Sequence, residues 1–101
     1  ENFERKDILF IKNEYTGILE NVEKIDSIID KFSIGWSVDR LSTVDKAILR
    51  IAVYEIMFDD DIPNKVSVNE AVELAKEFSE DKAPSFINGV LGKVVRYKEA
   101  N

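Results

Sequence analysis

At 101 residues the chain has the size of one small domain, and 45% hydrophobic against 34% charged residues is a globular balance, not a disordered one. With 14 basic and 20 acidic residues the net charge is −6, which excludes nucleic-acid binding by bulk attraction alone. Cysteine and histidine are absent, which removes disulfides, thiolate metal sites, thiol catalysis and the commonest general base.

The first predicted element is a long helix. Ile8, Ile11, Tyr15, Ile18, Val22, Ile25, Ile29 and Phe32 recur at alternating spacings of three and four, one face of a single helix from residue 7 or earlier to about residue 32. Gly17 costs up to about 1 kcal/mol against alanine inside a helix, so it marks close packing. Glu20 and Lys24 form an i,i+4 pair on the opposite side. The seam could serve a coiled coil, but a bundle is the better reading because every later helix also needs a partner.

Ser33-Ile34-Gly35, ahead of Trp36, ends that helix. Ser42-Thr43-Val44-Asp45 then reads as a helix start, with Ser42 as cap and Asp45 in the first turn, where the dipole favours an anion. The residues from Ala47 to about Phe58 are apolar almost all round, as in the buried centre of a bundle. Arg50 and Glu55 within it need partners or an exposed edge, and Lys46 lies one turn before Arg50.

Asp59-Asp60-Asp61 and Pro63 break the chain. Ser67-Val68-Asn69-Glu70 matches a capping box, and Val68, Ala71, Val72, Ala75 and Phe78 form the predicted inner face of the helix it starts. Pro84 suits the first turn of the last helix, in which Ile87, Val90, Leu91, Val94 and Val95 point inward. Gly89 and Gly92 predict close approach of another backbone, less often of a ligand. With no strand alternation anywhere, the expected fold is all-α, a compact bundle of about five helices in one domain.

No apolar run approaches the roughly 20 residues of a membrane span. No signal-peptide pattern opens the chain, so a soluble, cytoplasmic protein is expected. The first residue is Glu1 rather than Met, which suggests a fragment or a processed form. The serines have no histidine to activate them, so no enzyme is expected. The aspartate triplet lacks the alternate spacing, glycine and terminal glutamate of a calcium loop, and no glycine-rich phosphate loop is present; neither metal nor cofactor is expected. Lys93, Arg96 and Lys98 on the last helix, Lys46 and Arg50 on the central one, and Arg5 and Lys6 on the first would make a small positive patch if they converge. Ordinary surface charge is the alternative. Tyr54 and Tyr97 can stack on a base, or pack with only the hydroxyl at the edge.

The run from Leu41 to Glu55, Leu-Ser-Thr-Val-Asp-Lys-Ala-Ile-Leu-Arg-Ile-Ala-Val-Tyr-Glu, resembles the central signature of the bacterial NusB family of antitermination factors. The resemblance continues through Asp61-Ile62-Pro63, then from Val68 to Lys76, and ends with Phe86-Ile87-Asn88-Gly89-Val90-Leu91. It covers residues 36–94, with three motifs in order.

The resemblance implies two small helical bundles packed together. It implies a non-catalytic function without cofactors: binding the boxA element of ribosomal-RNA transcripts jointly with ribosomal protein NusE, inside the antitermination complex of RNA polymerase. Carried over by position, Lys46, Arg50, Asn88, Gly89 and Lys93 are the implied RNA contacts, and Tyr54 and Glu55 the implied partner contacts.

Ala83, Ser85 and Gly92 depart from the family's usual helix-capping serine, lysine and acidic residue. The arginine-rich first helix of the family has no counterpart in this sequence. The first bundle is therefore expected to be incomplete, leaving the seam from Ile8 to Phe32 partly uncovered and open to a homodimer. Two other functions fit the same motifs: an RNA-binding domain of a ribosomal-RNA cytosine methyltransferase, and a purely structural helical module.

Overall fold

The computed structural model describes residues 5–35 and 37–101, with side chains from Lys12 onward. Ile8 and Ile11 of the predicted seam, the side chains of Arg5 and Lys6, and Trp36 lie outside the described set. Five helices follow in order: α1 (Arg5–Glu20), α2 (Val22–Phe32), α3 (Thr43–Phe58), α4 (Asn64–Phe78) and α5 (Ala83–Ala100), with a 3-10 turn at Val38–Arg40 between α2 and α3. The described residues contain no strand.

α3 is the central element. It packs against α1, α2, α4 and α5, and its Leu49, Val53 and Ile56 have no exposed surface. Its start follows the predicted cap, with the Asp45 amide donating to Ser42 Oγ at 3.1 Å. α5 contributes Ile87, Leu91 and Val94, all fully buried, and α2 contributes Ile25 and Ile29. Of the predicted inward set of α5, Ile87, Val90, Leu91 and Val94 are buried and Val95 half-buried, whereas α3, expected to be buried almost all round, leaves Ile51 41% exposed.

The predicted single first helix is broken in two. Asn21 stands at the break, outside helical geometry (φ −117°, ψ 14°), and its side-chain amide donates to the Gly17 carbonyl at 2.8 Å. The Asn21 backbone amide is shared between the Gly17 and Ile18 carbonyls, both at 3.2 Å, so the ladder bifurcates at this residue, which periodicity does not register. Gly17 itself sits against the Tyr54 phenol of α3, and a Cβ there would overlap the ring. Close packing at Gly17 is thus real, and it fixes where α1 crosses α3. Among the described side chains of α1, Tyr15 is 65% and Leu19 55% exposed.

Two further corrections concern α4. It starts at Asn64, straight after Pro63, so Ser67 is not a cap but an interior residue, 1% exposed. Proline's fixed φ sets up the helix earlier than the serine would. Ser67, Ala71 and Ala75 form a small-residue stripe at i, i+4 and i+8, and all three are buried. Phe78, predicted to face inward, is 61% exposed because α4 ends there.

Short polar connections lock the ends. Ser79 Oγ donates to the Asp45 carboxylate at 2.6 Å, joining the end of α4 to the start of α3. Asp59 Oδ1 accepts from the Asp61 amide, and Asp60 binds Lys98 Nζ at 3.0 Å. The aspartate triplet is thus the turn that ties α5 to the end of α3. Gly35, after α2, has φ +85°, a conformation L side chains rarely adopt.

Candidate functional site

Sequence position alone placed seven residues at the candidate site. The structure distributes six of them over three surfaces and sets Asn88 apart in a groove of its own. The first is one side of α5. Phe86, Gly89, Lys93 and Tyr97 recur at spacings of three and four, with Lys82 one turn ahead and Arg96 alongside. A Cβ at Gly89 would meet nothing within 4 Å, so the predicted backbone neighbour is not there and the helix surface is open. At Gly92 only the Arg96 guanidinium approaches, at 3.6 Å. Lys93 is half-buried and makes no ion pair with a described residue. At its N-terminal end the strip runs into an open hollow of about 380 Å³ lined by Arg40, Leu41, Ser42, Asp45, Lys82 and Phe86, among others.

Asn88 lies on a different side of the same helix. It lines the groove between α4 and α5 with Asn69, Lys76, Pro84 and Ser85, one residue from Gly89 but pointing elsewhere.

The second surface holds Lys46 and Arg50. Arg50 is engaged within the fold: Nε donates to Asp26 Oδ1 at 2.8 Å and Nη2 to Oδ2 at 2.7 Å. This two-point pair between α2 and α3 is partly shielded, with the side chains 31% and 23% exposed. The Asp26 hydrogen bond raises the already high pKa of Arg50. Fixed fork geometry makes such a pair stronger than an ordinary surface ion pair. Lys46, one turn earlier, is half-buried and forms no ion pair with a described residue.

The third surface holds Tyr54 and Glu55, and both meet α1. Tyr54 packs on Gly17 and stands near Phe58, with ring centroids 5.7 Å apart. Glu55 faces Glu14 of α1. Burial, with Glu55, Asp59 and Glu70 nearby, holds the Glu14 carboxyl protonated up to a pKa of about 8. Its Oε2 is buried without a hydrogen-bond partner. The two implied partner residues therefore form the seat of α1.

Sequence reasoning missed Asp26, Glu14 and the aromatic pair at the far end of α5. There Phe32 and Tyr97 approach to 5.3 Å between centroids, and Lys31 Nζ lies 4.5 Å from the Tyr97 ring centre. Phe32 and Tyr97 were legible as half-apolar positions, but their meeting depends on how α2 docks against α5. No described helix is long and apolar enough to cross a membrane. No cluster of three or more metal-ligating side chains occurs among the described residues.

Comparison with known proteins adds a family. The NusB family model matches residues 1–96. The Clostridium novyi protein named transcription antitermination protein NusB is 50% identical over 94% of this chain and 71% of its own length. The namesake from Acetivibrio thermocellus is 54% identical over 88% of this chain and 61% of its own. A solved structure of T. maritima NusB superposes with a TM-score of 0.89 at 36% identity, covering 93% of this chain and 66% of that one. The chain thus spans about two-thirds of the length of these relatives.

Proposed function

This chain belongs to the NusB family, and from that premise we propose that it acts in transcription antitermination as a non-catalytic, cytoplasmic binding factor. In this reading it is a single NusB-like domain. It binds the boxA RNA of ribosomal-RNA transcripts together with ribosomal protein NusE, within the antitermination complex of RNA polymerase. The observation that carries the reading is the strip on α5, where open Gly89 and Lys93, without an ion pair to a described residue, lie in line with Phe86 and Tyr97 on a protein of net charge −6. A local row of cations and ring faces can hold a strand that the net charge would repel. Lys93 and Lys46 are proposed phosphate contacts. Gly89 is a proposed point of close approach, and Asn88 a contact reached from the neighbouring groove. Arg50 has donors left beyond its Asp26 pair, so a role in RNA contact goes together with its role in holding α2. Tyr54 and Glu55 contribute to the partner surface through the α1 segment they seat.

The test is fluorescence anisotropy of labelled boxA RNA with and without NusE. Lys93→Ala is expected to weaken binding several-fold and to lower the slope of log K against log salt by about one. Arg50→Ala is expected to weaken binding and also to lower the melting temperature, because Asp26 loses its partner. Absence of RNA binding in both conditions would refute the proposal, and a salt-independent affinity would remove the electrostatic mechanism.

We also propose a homodimer through the seam of the first helix, of which Tyr15 is 65% exposed. Sedimentation is expected to show association that Tyr15→Lys abolishes; a constant monomer mass at millimolar chain would sink this idea.

A further inference from the structure

The far end of the α5 strip carries a group of side chains to which the resemblance assigns no role. Tyr97 is half-buried on α5, with Phe32 of α2 tilted against it at 5.3 Å between centroids and an interplanar angle of 60°. Lys31 Nζ lies over the Tyr97 ring at 4.5 Å and is 5.7 Å from the Phe32 ring centre. Lys31 makes no ion pair with a described residue, although carboxylates are the commoner charge in this chain. Two acidic groups at this end are engaged otherwise: Asp30 accepts from the Val38 amide, and Asp60 binds Lys98. Phe32 braces the phenol, so Tyr97 is a ring held in place rather than a loose surface aromatic.

We propose that Tyr97, braced by Phe32 and flanked by Lys31, is a stacking platform for a base of single-stranded RNA, with Lys31 moving from the ring face to the adjoining phosphate. The inference rests on the RNA-binding reading above and extends it to a second contact point. From Phe86 to Tyr97 the helix rises about 16 Å, the length of roughly five stacked nucleotides at about 3.4 Å each. The platform therefore takes the strand where it leaves Lys93. A base stacked on the ring recovers more than the single cation–π contact it displaces, and the released ammonium gains a full anionic partner in exchange. Stacking reads a π-face rather than base edges, so the contact adds affinity without adding sequence preference.

The experiment compares boxA RNA with the same RNA lengthened by five uridines at the 5′ end, and separately at the 3′ end, in the presence of NusE. One of the lengthened RNAs is expected to bind about tenfold more tightly than boxA alone. Tyr97→Ala should erase that gain and weaken the unextended RNA far less than the lengthened one. Tyr97→Phe should keep it, because the π-face remains. Lys31→Ala should lower the salt slope by about one for the lengthened RNA only. Thermal melts of each variant separate loss of folding from loss of contact, and Lys31→Ala removes no core atom. If boxA binds but neither extension helps, or if Tyr97→Ala weakens all three RNAs alike, the platform is overturned while the RNA-binding reading stands. If no RNA binds, both fall.

Discussion

Truncating Leu49 to alanine is expected to cost about 2–5 kcal/mol of folding stability. Leu49 is 0% exposed on α3, the helix that every other helix packs against, so the lost methyl groups leave a cavity that no single neighbour can close. A domain of this size is stable by only about 5–15 kcal/mol, and each kcal/mol moves the melting temperature by about 4–8 °C. Urea or thermal unfolding followed by circular dichroism reads the change. Leu74→Ala is the control: Leu74 is 39% exposed on α4, and its truncation should stay within about 0.5 kcal/mol. Equal losses at the two positions would mean that α3 is not the centre of the core.

The second large effect depends on pH. Glu14 is held up to a pKa of about 8 by burial and by Glu55, Asp59 and Glu70, against an ordinary value of 4.5. Between those two values the folded protein binds a proton that the unfolded chain has released. Stability is therefore complete below about pH 4.5 for this group, and is lost as pH rises through about 8. After solvent screening the loss is of the order of 2 kcal/mol. It should fall first on α1, which Glu14 helps to seat. Ionising Glu14 beside three other carboxylates pushes α1 off α3. The expected result is a loss of helical signal between pH 6 and pH 9 by roughly one helix, absent in Glu14→Gln. If wild type and Glu14→Gln follow the same pH profile, the carboxyl contact does not govern α1. Because Tyr54 and Glu55 meet the same helix, any partner that uses α1 should bind more weakly at high pH, and Glu14→Gln should restore its affinity.

The Arg50–Asp26 pair shows how one residue can be only partly legible. From sequence, a cation in an apolar helix required a partner or an edge. The structure supplies the partner 24 residues away, on α2. Proximity to Lys46 in sequence suggested a shared RNA role, whereas the guanidinium first of all holds two helices together. Asn88 and Gly89 make the same point at shorter range: adjacent in sequence, they open onto different sides of α5.

What the sequence determined by itself was everything governed by local spacing and short-range chemistry. The recurrence of apolar residues every three or four positions defined the buried faces of α2 and α5, and the apolar run of α3 marked it as the centre of the core. A serine hydroxyl three residues from an unpaired amide defined the start of α3, and Pro84 the start of α5. The ordered motifs identified the family, because they record which faces must meet. The tertiary structure alone decided where faces stop and which side chains meet across them. Phe78 is exposed because no neighbour extends past the end of α4, and Ser67 is buried because α4 begins four residues before the predicted capping box would have begun it. The first helix breaks at Asn21, which leaves helical geometry beside the Gly17 crossing. Glu14 meets Glu55, and Tyr97 meets Phe32 and Lys31, only after α1 and α2 have docked. Periodicity fixes the direction of a side chain around its own helix axis. The partner it finds depends on the angle and offset between two axes, and those are set by the packing of the whole core.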